Sequence, residues 1–541
     1  MRWRILTVII GFGILYLVLL SKLYDIQFNK SAYYSAQAES QNIASGLLKA
    51  TRGNIYFIDK NNKLIQAVLN KDYATIIAVP KDIQESARSY AEKLAPILNL
   101  SVEELEEKLS KPDDSYELLI QKATYEQVSE IREMELEGIY IKNESLRFYP
   151  FGSLASHLLG FVAPDENDKF SGRYGVELFF NDLLAGKSGE SKGDKIIGPQ
   201  DGQNVILTID RNIQAQAEEV LKKLITEKSA EDGSVIIQEP STGKILAMAS
   251  FPDFNPNNYS QYDLKNFLNP AVQAVYEPGS VFKVITMAAG IDSGKITPET
   301  IYVDTGSVTY NGRTIKNWDN KAHGKQTMTG VIEQSINTGA VFAERKTGHD
   351  IFYNYLLKFG LNEKTGINLP GELKGNINNL KKNRDINFAT ASFGQGVSVT
   401  PIGLITAVSA LANDGVLMKP LITSDEKPQV LRKVISSETA KAVTRMMVSA
   451  VKKNVIADIP NYSVAGKTGT AFIPDFVKGG YTDDVINTYA GFAPASQPEF
   501  TILIKLTKPA GAPLAGQTVV PAFRELAEFI LNYYNISPDN L

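Results

Sequence analysis

The N-terminal segment constrains the fold most, because residues 5–20 (ILTVIIGFGILYLVLL) form an apolar run without a charge. A helix needs about 20 mostly apolar residues to cross a bilayer, and the next residues, which include a lysine able to snorkel, extend the run. A cleaved signal peptide is the alternative, but the Ala-x-Ala at 36–38 lies too far past the run. We therefore expect an uncleaved single-pass anchor over residues 1–23, and Arg2 and Arg4 favour a cytoplasmic N-terminus.

The composition argues against several functional classes. The 541 residues carry 56 Lys and Arg against 60 Asp and Glu, a formal net charge of -4, so no basic field favours nucleic acid as a partner. The chain has no cysteine, and its three histidines, His157, His323 and His349, lie far apart. Zinc, iron-sulfur and thiol chemistry therefore lack their usual ligands, and we expect neither a metal nor a cofactor.

The character of the sequence changes across residues 186–204 (GKSGESKGDKIIGPQDGQN), which are rich in Gly, Lys and Asp and show no periodic apolar face. Such a composition is typical of a linker. Further on, apolar strand patterns alternate with helical ones, which favours an antiparallel sheet with helices segregated about it. We therefore predict an α+β protein of four parts: the anchor at 1–23, a mixed and charged N-terminal domain at 24–190, a linker at 191–204 and a C-terminal domain at 205–541.

Periodic patterns predict individual elements in both domains. The N-terminal domain should contain a strand at 73–79, an amphipathic helix at 83–98 and a capping box of Ser101 and Glu104. The C-terminal domain should contain a helix at 212–224, a hairpin at 233–250, strands at 487–494 and 500–506, and an amphipathic helix at 521–534.

The stretch YEPGSVFKVITMAAGI places Ser280 and Lys283 three residues apart at the expected start of a buried helix. Hydroxyl and amine then share a face, and the free N–H groups of a helix start favour an alkoxide or oxyanion. Lys283 could accept the hydroxyl proton only if neutral, so its pKa must fall from about 10.4 through burial and a neighbouring positive charge. Ser-x-x-Lys alone is a weak signal, because it recurs in polar segments at 241–244 and 424–427, and Ser280 could simply cap a helix.

A second pair, Ser335 and Asn337 in VIEQSINTGAVF, is expected at a break between two helices. There a hydroxyl and an amide can face one cavity, the first relaying a proton and the second hydrogen-bonding a substrate amide. Ser-x-Asn is unspecific, since Ser40 and Asn42 repeat it elsewhere. Simple capping between the helices is the alternative.

Lys-Thr-Gly occurs three times, at 346–348, 364–366 and 467–469. The first copy ends a helical pattern, as a cation followed by Gly commonly does, and the second lies in a turn. Only VAGKTGTA indicates a strand without bulky side chains, against which another backbone can lie. A peptide could pair with that strand as an additional strand, because Gly469 has no side chain to block its backbone. Lys467 and Thr468 could then bind the carboxylate of the peptide.

Ser-x-x-Lys, Ser-x-Asn and Lys-Thr-Gly in this order, behind an anchor and a separate N-terminal region, form a specific set. With them the chain resembles a class B penicillin-binding protein, a peptidoglycan transpeptidase. YEPGSVFK, and Ser-x-Asn where the elongation branch commonly has Ser-x-Asp, are similar to the cell-division (septal) branch. The resemblance extends over nearly the whole chain through ATRGNIYFIDKNN, RFYPFGSLASHLLGFV, GRYGVELFFNDLLAG, LTIDRNIQ, ASFPDFNPNNY, ATASFGQGVSVTP and YAGFAPAS.

The resemblance implies a transmembrane helix, an elongated pedestal or dimerisation domain, and a penicillin-binding transpeptidase domain with a β-lactamase-like antiparallel sheet flanked by helices. It implies an acyl-enzyme on Ser280 with D-Ala-D-Ala stem peptides, resolved by an amine of a neighbouring stem. β-Lactams would acylate the same serine. A membrane glycosyltransferase and other division proteins would be partners, and the catalytic domain would lie outside the cytoplasm.

The resemblance also implies roles for individual residues: Lys283 as base, Ser335 as proton relay, Asn337 as ligand of the substrate amide, Lys467 and Thr468 as carboxylate ligands, and the N–H groups of Ser280 and Thr470 as an oxyanion hole.

Three positions depart from the family pattern. Asp-Lys-Asn-Asn at 59–62 stands where Asp-Arg-Asn-Gly is usual, Phe472 where Gln is common, and Ala515 where a Gly-Gly pair usually begins. None of these removes a catalytic group. An elongation-type transpeptidase, a D-alanine carboxypeptidase and a mainly structural division scaffold remain alternatives, whereas a class A β-lactamase is disfavoured because such enzymes lack this long N-terminal region.

Overall fold

The computed structural model describes Tyr16 and residues 49–111, 114, 116–166, 170–192, 195–475, 477–512 and 514–539. The predicted anchor at 1–23 lies outside the described residues apart from Tyr16. Among the helices that the structure describes, none is both long enough and apolar enough to span a bilayer. The chain divides into two units, one made of residues up to Asn54 with Phe180–Val205 and the other of Ile55–Phe179 with Ile206–Leu541.

The larger unit begins with a region of mixed strands and helices. Its strands are β1 (Ile55–Ile58), β2 (Ile65–Ala78), β3 (Glu117–Ala123) and β4 (Ile139–Phe148), and its longer helices are Ala87–Leu98, Val102–Leu109 and Tyr125–Glu133. Strand β2 pairs antiparallel with each of the other three. Ile76 of β2 and Leu94 of the first helix are fully buried in one apolar core, and burial of such side chains stabilises the fold by about 1.5–3 kcal/mol each.

The helix predicted at 83–98 begins later, at Ala87. Ser86 is the cause, because its side chain accepts a hydrogen bond from the N–H of Ser89 and so caps the helix, while Ile83 stays extended. The strand predicted at 73–79 is confirmed as the end of β2. Ser101 caps the next helix by accepting a hydrogen bond from the N–H of Glu104, which confirms the serine half of the predicted capping box.

Short elements complete this region, namely the helices Ser156–Leu159 and Gly175–Phe179 and the hairpin of β5 (Val162–Pro164) with β6 (Phe170–Gly172). The smaller unit contains the helix Asn181–Ala185 and the hairpin of β7 (Glu190–Lys192) with β8 (Lys195–Ile197), which falls largely within the predicted linker. Its two chain segments are joined because the N–H of Gly53 donates to Leu184 and that of Gly202 to Thr51.

The rest of the larger unit is built on a five-stranded antiparallel sheet with the strand order β11-β10-β20-β19-β18. The strands of this part are β9 (Val205–Asp210), β10 (Asp232–Gln238), β11 (Ile245–Phe251), β12 (Ile301–Asp304), β13 (Ser307–Tyr310), β14 (Arg313–Lys316), β15 (Gly324–Thr327), β16 (Val416–Met418), β17 (Val430–Lys433), β18 (Ala465–Pro474), β19 (Tyr481–Ala493) and β20 (Phe500–Thr507). Strand β18 is therefore an edge strand of this sheet.

Both faces of the five-stranded sheet are covered. Val235 and Ile237 of β10 belong to a core shared with the helices Arg211–Lys228 and Val519–Tyr533. Ile236 points to the opposite face because side chains alternate along a strand, and there the almost wholly buried helix Pro401–Ala412 packs against β10.

The predicted elements of this part are confirmed with longer bounds. The hairpin at 233–250 is β10 with β11, in which Ile236 pairs with Met248. The helix predicted at 212–224 is Arg211–Lys228, and the last helix is Val519–Tyr533. Strand β19 begins earlier than predicted, because its polar first residues carry no apolar signal and are ordered by pairing with the end of β18.

The remaining helices lie between β11 and β18: Pro270–Gln273, Lys283–Asp292, Met328–Gln334, Asn337–Thr347, His349–Lys358, Asp385–Ala391, Pro401–Ala412 and Ser437–Asn454. A strand-rich segment at residues 301–327, here called the excursion, precedes Met328–Gln334. In it β12 pairs with β15 and β13 with β14.

Candidate active site

Ser280 lies in a short turn that leads into a buried helix. Where the sequence predicts a helix start, the structure has a 3-10 turn at Gly279–Phe282 followed by the helix Lys283–Asp292. Gly279 opens the turn at a φ of 56°, a conformation that costs little only without a Cβ. Val281 and Phe282 are fully buried, whereas Ser280 is only partly buried. The apolar pair therefore fixes the turn while the hydroxyl stays accessible.

Two backbone segments close against this turn. The N–H of Gly279 donates to the carbonyl of Gly394 at 3.1 Å, and a Cβ on Gly394 would lie 2.2 Å from the carbonyl oxygen of Gly279. On the other side, a Cβ on Gly469 would lie 2.6 Å from the carbonyl oxygen of Pro278. Glycine at both positions lets backbone meet backbone, so the turn is clamped between β18 and the Gly394 loop.

Thr470 of β18 faces the same turn. A Cβ on Gly279 would lie 2.9 Å from the carbonyl oxygen of Thr470, so this carbonyl points away from β19 and toward the turn. In an antiparallel strand the N–H and C=O of one residue point to the same side. The N–H of Thr470 is therefore on the same side of β18 as its carbonyl, the side on which the turn lies.

Lys283 is fully buried, and its Nζ contacts the Ser335–Asn337 segment. The distances are 2.5 Å to the carbonyl oxygen of Ser335, 3.2 Å to Ser335 Oγ and 2.8 Å to Asn337 Oδ1. Burial, together with the nearby charge of Lys467, lowers the pKa of Lys283 well below its ordinary value. A neutral amine has a lone pair that can accept a proton, so Lys283 can act as a base.

Ser335 lies at the break between two helices. It has a left-handed φ of 57° between Met328–Gln334 and Asn337–Thr347, which confirms the predicted break. Its Oγ lies 3.2 Å from the Nζ of Lys283 and 2.9 Å from the Nζ of Lys467. One hydroxyl therefore links the two lysines and offers a path for a proton between them.

Lys467 reaches the same hydroxyl from β18. Its side chain is almost wholly buried, and besides Ser335 its Nζ contacts Thr468 at the carbonyl oxygen and at Oγ1, at 3.1 and 3.2 Å. Burial lowers the pKa of Lys467 to about 7. Among the described residues, no carboxylate pairs with Lys283 or Lys467. The site therefore presents positive charge that an anionic ligand can neutralise.

The other two Lys-Thr-Gly copies lie in ordinary structural positions. Lys346 is exposed in the last turn of Asn337–Thr347, where Gly348 is the C-cap, and this confirms the predicted helix end. Lys364 is exposed outside any helix or strand, and both the N–H and Oγ1 of Thr365 donate to Glu372 at 2.6 Å. The second copy therefore lies in a loop held by Glu372, where the sequence predicts a turn.

Sequence reasoning missed the loop after Ser392 and its link to Glu277. The carboxylate of Glu277, just before the turn of Ser280, accepts hydrogen bonds from the N–H of Gly396 and the hydroxyl of Tyr481, each at 3.0 Å. These bonds tie the loop and the start of β19 to the turn. The signal that could have revealed the loop is its pair of glycines, since Gly394 and Gly396 have φ values of 81° and 72°.

Together these groups have the chemistry that serine acyl transfer requires. The site has an accessible hydroxyl on a clamped turn, a buried amine with a lowered pKa, a bridging hydroxyl, a second buried lysine and an edge strand open to a peptide. Within the described part of the chain, no group of three or more histidine, aspartate or glutamate side chains is placed to hold a metal ion.

Comparison with known families identifies the class. The penicillin binding protein transpeptidase domain matches residues 233–528, and the penicillin-binding protein dimerisation domain matches residues 47–238. The chain therefore belongs to the penicillin-binding protein transpeptidase family, and its dimerisation domain places it in class B. It has the two-domain, mixed α/β fold of that class.

Several relatives match over most of their length. Stage V sporulation protein D of Bacillus subtilis is 31% identical, covering 96% of this chain and 83% of that protein. Peptidoglycan D,D-transpeptidase FtsI of Escherichia coli is 30% identical, covering 86% and 81% respectively. The crystal structure of penicillin binding protein 3 from Mycobacterium tuberculosis complexed with aztreonam has a TM-score of 0.70 at 27% identity, covering 91% of this chain and 98% of that one.

Proposed function

We propose that this chain is a peptidoglycan D,D-transpeptidase that cross-links stem peptides through an acyl-enzyme on Ser280 and works in septal wall synthesis. One observation carries the proposal. The amines of Lys283 and Lys467 meet at Ser335 Oγ, at 3.2 and 2.9 Å, beside the clamped turn of Ser280. A buried amine of lowered pKa supplies the base, and a buried cation without a carboxylate partner supplies a receptor for the C-terminal carboxylate of the substrate.

Acylation uses the groups around the turn. Lys283 accepts the proton of Ser280 as its Oγ attacks the carbonyl carbon of the penultimate D-alanine. The developing oxyanion receives hydrogen bonds from the N–H groups of Ser280 and Thr470, a preorganised interaction that often dominates such catalysis. Ser335 then passes a proton to the departing nitrogen. The peptide C–N bond breaks, the ester forms, and the terminal D-alanine leaves as the free amino acid.

The edge strand orients the substrate during this step. Lys467 and Thr468 bind the terminal carboxylate, and a peptide backbone pairs with the edge of β18. Gly469 contributes indirectly, because the space that the sequence predicts for a peptide there is taken by the turn of Ser280. Asn337 has a second amide N–H, beyond the one given to Lys316, that can donate to a substrate carbonyl.

Cross-linking completes the reaction. The amine of a neighbouring stem attacks the ester carbonyl, loses its proton to the lysine and serine relay, and restores the hydroxyl of Ser280. A β-lactam blocks this step because its leaving nitrogen stays tethered in the acyl product. The reaction uses side chains and backbone alone and requires no cofactor.

The family matches and relatives support the cellular setting of the proposal. Matches at 47–238 and 233–528 support two domains, for which we propose a pedestal at 24–190 and a transpeptidase domain at 205–541, joined by a linker at 191–204. An anchor at 1–23 would make the protein a single-pass cell-membrane protein with its catalytic domain extracytoplasmic. Relatives named FtsI and PbpB support the septal branch, whose partners would include a membrane glycosyltransferase and other division proteins.

Intact-mass spectrometry after incubation with penicillin tests the reaction. We expect one stable adduct of the mass of penicillin on the wild type and none on Ser280→Ala. An unmodified wild type, or an adduct that persists in Ser280→Ala, would contradict the assignment of Ser280.

Product analysis separates the alternatives. With D-Ala-D-Ala stem peptides and an amine acceptor, a transpeptidase yields cross-linked product, whereas a carboxypeptidase yields only the shortened stem. If the protein were a mainly structural division scaffold, its Ser280→Ala variant would support cell division as well as the wild type does. Cross-linked product together with failure of Ser280→Ala to sustain division supports the proposal.

A further inference from the structure

Asn337 is held in one orientation from both ends of its amide. Its Oδ1 accepts a hydrogen bond from Lys283 Nζ at 2.8 Å, and its Nδ2 donates to the carbonyl oxygen of Lys316 at 2.9 Å. A flipped amide would bring the amide oxygen against the carbonyl oxygen of Lys316, and two acceptors repel each other. The contacts therefore select the orientation that leaves one N–H of Nδ2 for a substrate.

Lys316 ends β14 in the excursion, and the next residue fastens it. Asn317 is buried, and its Nδ2 donates to Asp304 Oδ2 at 2.8 Å and to the carbonyl oxygen of Lys321 at 2.9 Å. Its Oδ1 accepts the N–H of Thr338 at 3.2 Å. Asn317 thus joins the excursion to the residue directly after Asn337.

Asp304 is the centre of this arrangement and is only 2% exposed. Its two oxygens accept hydrogen bonds from Thr338 Oγ1 at 2.6 Å, Gly306 N at 2.9 Å, Asn317 Nδ2 at 2.8 Å and His323 N at 2.8 Å. Burial alone would raise the pKa of Asp304, but these hydrogen bonds, led by that of Thr338, hold it below its ordinary value. The charged carboxylate is therefore the stable form, and it is satisfied by donors from both the excursion and the helix.

We propose that Asp304, acting through Asn317 and Thr338, positions Asn337 so that its oxygen meets Lys283 and one of its N–H groups meets the substrate. Thr338 stands in the first turn of Asn337–Thr347, so anchoring its hydroxyl and N–H fixes where that helix starts. Asp304 and Thr338 are positioning residues, because they act through Asn337. This inference rests on the proposed function, since it assigns an orientation within the same site.

A merely structural role would affect stability but not the protonation of Lys283. If Asn337 loses its orientation, Lys283 loses the acceptor that favours its charged form, so its pKa falls further. The rate constant of acylation rises with pH as Lys283 loses its proton, and this rise, the ascending limb of the pH profile, then moves to lower pH. The maximal rate constant of acylation falls at the same time, because a misplacement of about 1 Å far from the chemistry can slow a reaction about 100-fold.

The experiment compares the second-order rate constant of acylation by a fluorescent penicillin across pH, together with the melting temperature of each variant. Thr338→Val removes the hydroxyl at nearly constant shape, Thr338→Ser keeps it, and Asp304→Asn replaces an acceptor by a donor. Asp319→Asn is the matched control, because Asp319 lies in the same excursion and bonds to Lys321 and His323 within it.

We expect Thr338→Val and Asp304→Asn to be at least about tenfold slower, with the ascending limb at lower pH. Thr338→Ser should recover most of the rate, and Asp319→Asn should stay within about twofold of wild type.

A folded Thr338→Val with the wild-type rate and pH profile would overturn the inference. It would also be overturned if Asp319→Asn slowed acylation as much as Thr338→Val at the same melting temperature. If Thr338→Val does not fold, the acylation rate constant and pH profile of Asp304→Asn are compared with those of Thr338→Ser, and equal values in the two variants would overturn the inference. A wild type that is not acylated would instead overturn the proposed function and this inference together.

Discussion

The tripeptide Lys-Thr-Gly adopts opposite roles at two places in this chain. At 467–469 it lies in the edge strand β18, where Lys467 is 3% exposed and its Nζ contacts Ser335 Oγ at 2.9 Å. At 346–348 it ends a helix, with Lys346 exposed above the ring of Phe342 at 5.6 Å and Gly348 as C-cap. Three identical residues thus give a buried cation with a lowered pKa and a solvated cation at a helix end.

The neighbours of each copy explain the difference. Ala465 and Gly466 precede Lys467, and the missing side chain of Gly466 lets β18 pack against the ring of Tyr489. Ala343, Glu344 and Arg345 instead favour a helix before Lys346. The function of a short motif therefore depends on the burial and the partners that its surroundings create, and each copy can be tested separately.

Loss of Lys467 should have the largest effect. In the proposed function Lys467 binds the substrate carboxylate, and a hydrogen bond to a charged group contributes about 1.5–3 kcal/mol, so acylation of Lys467→Ala by penicillin should be slower by about 10- to 150-fold. Removing this charge should also raise the pKa of Lys283 and move the ascending limb of the pH profile to higher pH. Stopped-flow fluorescence measures both.

Lys346→Ala and Lys364→Ala are the controls for this comparison. Both side chains are exposed, so each variant should be acylated within about twofold of the wild-type rate. A loss at either position comparable to that of Lys467→Ala would break the contrast between the copies.

The pH dependence of acylation should report Lys467 directly. Because burial lowers the pKa of Lys467 to about 7, the free enzyme loses this positive charge as the pH rises through that value. The second-order rate constant for a carboxylate-bearing β-lactam should then fall about tenfold per pH unit on the alkaline side. Lys467→Arg keeps its charge at all these pH values, so the fall of its rate constant at high pH should be absent. If the rate constant of this variant fell as it does in the wild type, the titration would belong to another group.

The two glycines should respond differently to alanine. A Cβ at Gly469 would lie 2.6 Å from the carbonyl oxygen of Pro278, so Gly469→Ala must displace the turn of Ser280. We expect acylation about tenfold slower and a loss of about 1–3 kcal/mol in unfolding free energy. Gly348 has open space around it, but its φ of 87° and ψ of 144° fall in a region almost confined to glycine, so Gly348→Ala should cost about 1–3 kcal/mol in unfolding free energy, with unchanged acylation. Equal acylation rates in the two variants would contradict this.

The smallest effect on acylation is expected at Glu344, which lies just before the helix-end copy. Its carboxyl is fully buried, neither oxygen has a hydrogen-bond partner, and burial raises its pKa to about 8. Between its ordinary value of 4.5 and about 8 the folded protein binds more protons than the unfolded chain, so stability should fall as the pH rises through this window.

Denaturant unfolding of Glu344→Met across this range checks the expectation. The apolar side chain should flatten the dependence and raise the unfolding free energy by about 1–3 kcal/mol at pH 8, with unchanged acylation. An unchanged slope with pH would show that Glu344 does not titrate in this window.

Much of the local structure could be predicted because it depends on close neighbours. The hairpin of β10 and β11, the helix break at Ser335 and the helix end at Lys346 each follow from residues a few positions away. The polar start of β19 and the late start of the helix at Ala87 could not be predicted from apolar periodicity. The first depends on pairing with β18, and the second on a single capping serine.

The sequence by itself determined which segments could carry chemistry, because residue type and short-range spacing set where a turn, a helix break or a strand of small residues can form. Only the tertiary structure decided that Lys467 meets Ser335 across 132 residues of chain and that Asp304 supports Thr338 across 34. The same holds for the lowered pKa of each lysine. Burial and hydrogen-bond partners come from segments distant in sequence, and no local pattern encodes the distance between them.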